Sequence, residues 1–159
     1  VIPVLNKVLK CGKIIQTEHL KDEIAQLLDK MSGIDGLLVT EKGVGGIALR
    51  IQQNANKNWQ TFTIRYKRST GTETEYAKRK KQIYEGSPTF YPHYTCQAYI
   101  NDKGILIGGG FCLTKDLFDV AIKDEPFVNR SHIYLQANKS DGNQFLVVPF
   151  RLINPILLF

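Results

Sequence analysis

The periodic pattern of the chain begins with a helix. Leu20, Ile24, Leu27, Leu28 and Met31 fall on one helical face, Thr17 and Glu18 suit an N-cap followed by an acid in the first turn, and Ser32-Gly33 stops the run. The spacing predicts an amphipathic helix over 18–31. Period two then takes over. A short strand over 34–40 and a Glu41-Lys42-Gly43 turn lead to a second strand over 47–52, with Ile47, Leu49 and Ile51 on one face and Ala48, Arg50 and Gln52 on the other. A polar loop at 54–58 precedes a third strand over 61–67, where Phe62, Ile64 and Tyr66 alternate with Thr61, Thr63, Arg65 and Lys67. Pairing these last two strands as a hairpin sets Gln52 opposite Thr61, Arg50 opposite Thr63 and Ala48 opposite Arg65, so their polar side chains share one sheet face.

After a Ser69-Thr70-Gly71 turn, Thr72 or Thr74 can cap a helix running to about Tyr84 that breaks at Gly86-Ser87-Pro88. Glu75, Lys78, Arg79 and Gln82 share one of its faces, and Tyr76, Ile83 and Tyr84 supply apolar contacts. Strands over 95–100 and 105–113 follow, then a short helix over 115–122 with Leu117, Val120 and Ala121 inward. The tail reads as strands over 133–137 and 145–150 joined by Ser140-Asp141-Gly142-Asn143, because Asp-Gly readily takes positive φ. The expected fold class is α/β, with a central mixed β-sheet flanked by helices and a C-terminal hairpin at about 131–151. No repeat or long linker interrupts it, so residues 1–159 read as a single domain.

Composition narrows the class. Hydrophobic content of 43% with 23% charged residues is that of a globular chain rather than a disordered one. No apolar run is long enough to cross a membrane, and Val1 to Leu9 lacks the cleavage pattern of a signal peptide, so an intracellular, non-secreted protein is expected. The chain starts on Val1, so its first residues need not be the native start. Cys11, Cys96 and Cys112 form no CxxC pair, and His19, His93 and His132 add no zinc spacing; reduced, buried thiols are expected.

Charge changes the picture more. The net charge is +6, and between Arg65 and Lys81 seven cations (Arg65, Lys67, Arg68, Lys78, Arg79, Lys80 and Lys81) face only Glu73 and Glu75. That stretch therefore carries +5 of the excess. A concentrated basic patch on a balanced surface is the footprint of a polyanion partner; the plainer alternative is a solvated basic helix face.

Several other candidates carry less. Gly108-Gly109-Gly110 is followed by Phe111-Cys112-Leu113 rather than by Lys and Ser/Thr, so a bulge or close strand packing explains it better than a phosphate loop. His93 and Cys96 have no spacing that implies a thiolate–imidazole pair. Gln97 needs a hydrogen-bond partner if its strand is buried, and Tyr91, Tyr94 and Tyr99 can stack on bases or fill the core. The richer constellation is Asp35 at the first strand, Gln52 ending the next on its polar face, then Thr61-Phe62-Thr63-Ile64-Arg65-Tyr66-Lys67 and Thr74-Glu75-Tyr76-Ala77-Lys78-Arg79. An acid, an oxygen donor and nearby cations can hold a divalent metal beside a phosphodiester, where the metal activates water and Lys or Arg shields the developing charge.

At these residues, over about 18–122, the chain resembles the PD-(D/E)xK nuclease superfamily, with its order of helix, strand hairpin, helix, strand and helix. Strings such as Gly33-Ile34-Asp35, Arg50-Ile51-Gln52 and Thr74-Glu75-Tyr76-Ala77-Lys78-Arg79 are similar to those of phage or mobile-element members. The resemblance implies a restriction-endonuclease-like fold, with Asp35 as the first acid and Gln52 at the second position. Asn54 stands where the family has Lys. Arg65, Lys67 or Lys78 could supply that cation, and Glu75, Glu18, Asp22 or Glu23 a further acid.

The resulting expectation is a metal-dependent DNA endonuclease. Asp35 and Gln52 would hold Mg²⁺ or Mn²⁺, and Arg65, Lys67 and Glu75 would complete the catalytic set. Arg50, Arg65, Lys67, Arg68, Lys78, Arg79, Lys80 and Lys81 would grip the backbone. A homodimer would let such a site cut both strands, though no residue specifies its interface. The alternative is a non-catalytic nucleic-acid-binding or protein-interaction module on the same fold. A third reading is a structural protein whose basic helix meets an acidic protein surface.

Overall fold

Pro3 sits in the first turn of α1 (Ile2–Leu9), where a missing amide hydrogen costs nothing. The computed structural model describes residues 1–9, 12–17, 23–28, 32–86, 90–128, 132–138 and 140–158. After α1 come β1 (Gly12–Gln16), α2 (Glu23–Leu27), β2 (Gly36–Thr40), β3 (Gly43–Gln52), β4 (Thr61–Lys67) and α3 (Glu75–Tyr84). Then follow β5 (Tyr94–Ile100), β6 (Leu106–Leu113), α4 (Thr114–Asp124), β7 (Tyr134–Ala137), β8 (Gln144–Pro149) and β9 (Ile156–Leu158). Of the helix expected over 18–31, α2 is the described part; Leu20 and Met31 lie outside the described residues.

The fold is α/β, built on a six-stranded mixed sheet in the order β1-β2-β3-β5-β6-β9. The chain meanders antiparallel through β1, β2 and β3, and β3 then lies parallel to β5, with Ile47 opposite Tyr94 and Gln52 opposite Tyr99. A parallel neighbour requires a crossover, which β4 and α3 provide. A second, three-stranded sheet runs β4-β8-β7.

This arrangement corrects the expected hairpin between 47–52 and 61–67. β3 pairs with β2 over Gly43–Ile47 and with β5 over Ile47–Gln52, and β4 joins neither edge. The chain leaves β3 through Asn54 and returns through Gln60, both at φ 53, and β4 pairs antiparallel with β8 instead, Phe62 opposite Val148 and Ile64 opposite Leu146. The terminal hairpin forms as expected, with Tyr134 opposite Val147, but it completes the second sheet rather than standing apart. α1, β1 and β9 have no counterpart in the sequence reading.

Strand alternation divides the interior into two cores. Ile14, Leu38, Ile47, Cys96, Phe111 and Leu158 pack with Leu5 and its α1 neighbours on one face of the large sheet. On the other face Tyr99 and Cys112 meet Phe62, Ile64, Leu146 and Val148 of the second sheet, together with Leu117 and Phe118 of α4. Cys96 and Cys112 are thus buried in different cores, and burial raises both thiols, Cys96 to about 12. Cys11 lies outside the described residues. The glycine run serves close packing: a Cβ on Gly110 would meet the Phe150 ring at 2.7 Å. Among the described residues no helix is long and apolar enough to cross a membrane.

Two buried polar side chains join the sheets. The Tyr99 hydroxyl donates to Thr61 O at 2.6 Å and lies 2.9 Å from Thr61 Oγ1, and Gln97 Oε1 accepts from Thr63 N at 3.3 Å and Thr63 Oγ1 at 3.0 Å. Gln97 thereby has the partner its burial demands. Tyr99→Phe keeps the ring and deletes the hydroxyl, leaving Thr61 short of a partner; a loss of about 1–3 kcal/mol is expected. Urea unfolding measures it, and an unchanged midpoint would count against this seam.

Candidate nucleic-acid interface

Thr74 starts α3 with its side chain accepting from Ala77 N at 3.2 Å, which places Glu75 in the first turn. From there the Glu75 carboxylate accepts from the Arg50 guanidinium of β3 and from Arg65 N of β4 at 3.2 Å. One side chain therefore ties the large sheet, the second sheet and the helix around a cleft of about 560 Å³.

The cleft wall is densely charged. Arg50, Arg65, Arg68, Lys78 and Arg79 line it, against Asp35, Glu73 and Glu75. Glu75 is already shared between Arg50 and β4, and Glu73 pairs with Lys81 at 2.9 Å, so the wall keeps a cationic excess. Burial, then the charges of Arg50 and Arg68, lower the Arg65 pKa, with Glu75 and Asp141 opposing. Lys78 is lowered by burial and then by Arg79, with Glu73 opposing. Like charges held this close, and partly out of water, favour a neutralising anion. Arg65 Nε and Arg68 Nε are moreover buried with no hydrogen-bond partner among the described residues. Arg68 sits on a loop braced from both sides: its Nη1 donates to Thr72 Oγ1 at 3.2 Å, and Ser69 N donates to Asn143 Oδ1 at 3.3 Å.

Arg79 is 4% exposed and forms the back of the cleft. Its guanidinium donates to Gln82 Oε1 at 2.5 Å and to Gly33 O at 3.5 Å, while Glu75 and Asp35 offset the burial that lowers its pKa. Asp35 lies just before β2, with an exposed side chain at the cleft. β2 ends at Gly36, opposite Ile47, so β3 continues past it; Asp35 Oδ2 accepts from Leu49 N at 2.6 Å on this stretch.

The sequence candidates thus divide. Asp35, Arg65 and Glu75 of the catalytic set share the cleft, as do Arg50, Arg68, Lys78 and Arg79. Gln52 lies three residues beyond Leu49, about 10 Å along the strand, and lines a neighbouring trough that has Arg50 in common with the cleft. Lys67 is exposed beyond the register shift of β4, Lys80 turns to Glu125 at 3.8 Å, and Lys81 is taken by Glu73. His93 accepts from Gly46 N at 3.3 Å, and Tyr94 stacks on Phe111 with centroids 5.1 Å apart. Tyr99 fills the core. Glu73 and Thr95 of the cleft, and Trp59, Tyr134, Gln136 and Asn138 beyond it, carry no local sequence pattern that marks them as site residues.

The donors for Mg²⁺ or Mn²⁺ are sparse. Such an ion takes one or two carboxylates besides water and substrate phosphates, and of the three carboxylates lining the cleft Glu75 is paired with Arg50 and Glu73 with Lys81. Among the described residues no group of three or more His, Cys, Asp or Glu is placed to hold a metal. Glu23 is exposed on α2, and Glu18 and Asp22 lie outside the described residues. A divalent cation at Asp35 would therefore rely on water and substrate phosphates for most of its ligands.

Comparison with known proteins gives no significant match: no family model, no curated protein and no solved structure is similar to the chain.

Gly33 underlies the back wall. Its φ is +59, and a Cβ there would meet Arg79 Nη2 at 2.7 Å. Gly33→Ala combines left-handed strain with a clash against a buried guanidinium, so a loss of about 1–3 kcal/mol is expected. Thermal or urea unfolding reads it, and wild-type stability in the variant would remove the packing role given to this contact.

Proposed function

We propose that this chain binds nucleic acid by its phosphate backbone, in the cationic cleft bounded by β3, β4 and α3. The observation that carries the reading is the pair of buried, unpartnered donors, Arg65 Nε and Arg68 Nε, on two of the five cationic side chains that line the cleft. A buried guanidinium N–H left unpaired is costly, and a phosphate oxygen can satisfy it with a charge-assisted bond while neutralising its neighbours. Arg50 and Arg79 are anchored within the protein, which leaves Arg65 and Arg68 as the cleft arginines with a donor still unpaired among the described residues.

Salt dependence tests this. With a labelled DNA oligonucleotide, affinity should fall steeply between about 50 and 200 mM salt. Replacing Arg65 and Arg68 together with Gln should flatten the slope by about two, one for each lost phosphate contact. Lys80→Gln with Lys81→Gln, outside the cleft, should change it less. Equal slopes in wild type and the arginine double variant would defeat the proposal.

A second reading, metal-dependent cleavage of DNA by a restriction-endonuclease-like site, draws support from a different observation. The β2–β3 hairpin and the α3 crossover to the parallel β5, with β4 interposed, are compatible with the element order that the PD-(D/E)xK resemblance implies, and Asp35 is exposed at the cleft. Asp35→Asn separates the roles, since the amide oxygen can still accept from Leu49 N while the charge is gone. Under this reading wild type nicks DNA with Mg²⁺ or Mn²⁺, and the variant binds but does not cut. Wild type that leaves duplex and branched DNA intact with either ion would rule it out.

A further inference from the structure

We propose that the trough beside the cationic cleft receives unpaired bases, so that the ligand is a single-stranded segment whose backbone occupies the cleft. This rests on the phosphate-binding reading and specifies the form of nucleic acid that it takes. The trough has a volume of about 650 Å³ and meets the cleft at Arg50. Its chemistry is different. Arg50 is the one charged residue lining it among the described residues, and the rest of its polar lining is dominated by amides: Gln52, Gln53, Gln97, Gln136 and Asn138.

Strand register explains the change. On the face of β3 that looks toward the second sheet, Ala48, Arg50 and Gln52 stand beside Thr95, Gln97 and Tyr99 of β5. Along β3 the floor therefore passes from the Arg50 guanidinium to the Gln52 amide within two residues. The Gln97 side chain is fixed by Thr63, whereas the side chains of Gln52, Gln53 and Gln136 are exposed and make no hydrogen bond with the described residues. Neutral amides carry both a donor and an acceptor, the pattern that matches base edges and offers nothing special to phosphate.

Beyond the amides lie rings. Trp59 and Tyr134, 44% and 42% exposed, border a further depression of about 270 Å³ that has Gln52, Thr63 and Gln136 in common with the trough. Lys57 Nζ lies 4.0 Å from the Trp59 ring centroid, which puts a cation beside a stacking surface. Exposed aromatic faces next to cations are how sequence-tolerant single-strand binders hold successive bases. A paired duplex presents base edges and keeps its faces stacked, so it cannot use these rings; an unpaired strand can. An acidic protein surface would satisfy the cleft but would use neither the amides nor the rings.

Trp59 is the only tryptophan in the chain, so its fluorescence reports on this site alone. The full chain is titrated at low salt with a short thymidine oligonucleotide, with an abasic oligonucleotide of equal length, and with a duplex. The thymidine strand should bind and quench Trp59. The abasic strand should bind more weakly without quenching, and the duplex should not quench. Trp59→Ala should weaken thymidine binding by about 5- to 150-fold, the range for one stacked base, and leave abasic binding unchanged; Gln136→Ala, at the same wall, should also spare the abasic strand. Equal, quench-free binding of thymidine and abasic strands in wild type overturns the base site while leaving the phosphate cleft standing. Failure of both strands to bind overturns the two readings together.

Discussion

The Glu75 carboxylate is held at one point by three elements: the first turn of α3, the Arg50 guanidinium of β3 and the Arg65 amide of β4. Without a shared acceptor, Arg50 and Arg65 would face each other across the seam between two sheets. Both guanidinium groups also lie over Phe145, at 5.5 and 5.7 Å from its ring centroid, so the ring and the carboxylate together fix where the positive charge sits. The pair is partly buried, with side-chain exposures of 28% and 24%, a setting in which removing one partner costs more than at a fully solvated surface. The placement of α3, and with it Lys78 and Arg79, follows from this joint.

Fixing cations so close together works against folding, and the structure limits that cost unevenly. Arg79 is turned inward and spends its donors on Gln82 and Gly33, with two carboxylates in its field. Arg50 is answered by Glu75. Arg65 and Arg68 are answered least, each retaining a buried Nε without a partner among the described residues. Both residues line the cleft. Unfavourable local electrostatics that an anion would relieve is the physical basis of the proposed phosphate site.

Much of this was legible in the chain, and the rest was hidden for identifiable reasons. Alternation placed β4 at 61–67, and Thr72 or Thr74 marked the start of α3, which the structure caps with Thr74, because both signals are local. The charge count located the cationic wall but could not separate Arg65 and Arg68 from Lys80 and Lys81. Which cations share a wall depends on helix phase and on acids such as Glu125, distant in sequence. Pairing was the main miss. Sequence proximity favoured a β3–β4 hairpin, yet an eight-residue excursion between them left β3 free to take β5, and β4 free to complete the sheet begun by the terminal hairpin. Gln97 was recognised as a buried amide in want of a partner, but its partner Thr63 followed only from that second sheet.

The same miss hid the trough. Gln52 was read as a member of the Asp35 constellation because both sit on neighbouring strands, but the strand rise separates them and the register puts Gln52 beside Tyr99. Its companions, Gln136 and Tyr134, come from β7, more than eighty residues later in the chain, and Trp59 comes from the excursion that carries the chain between sheets. None has a local pattern that marks it. What unites them is that β4 left the large sheet: had it paired with β3, its polar face would have continued the charged surface. By crossing over instead, β4 closes one side of a groove whose floor changes from guanidinium to amide within a single strand. That change in chemistry along β3 makes a backbone on one side and bases on the other the economical reading of the interface.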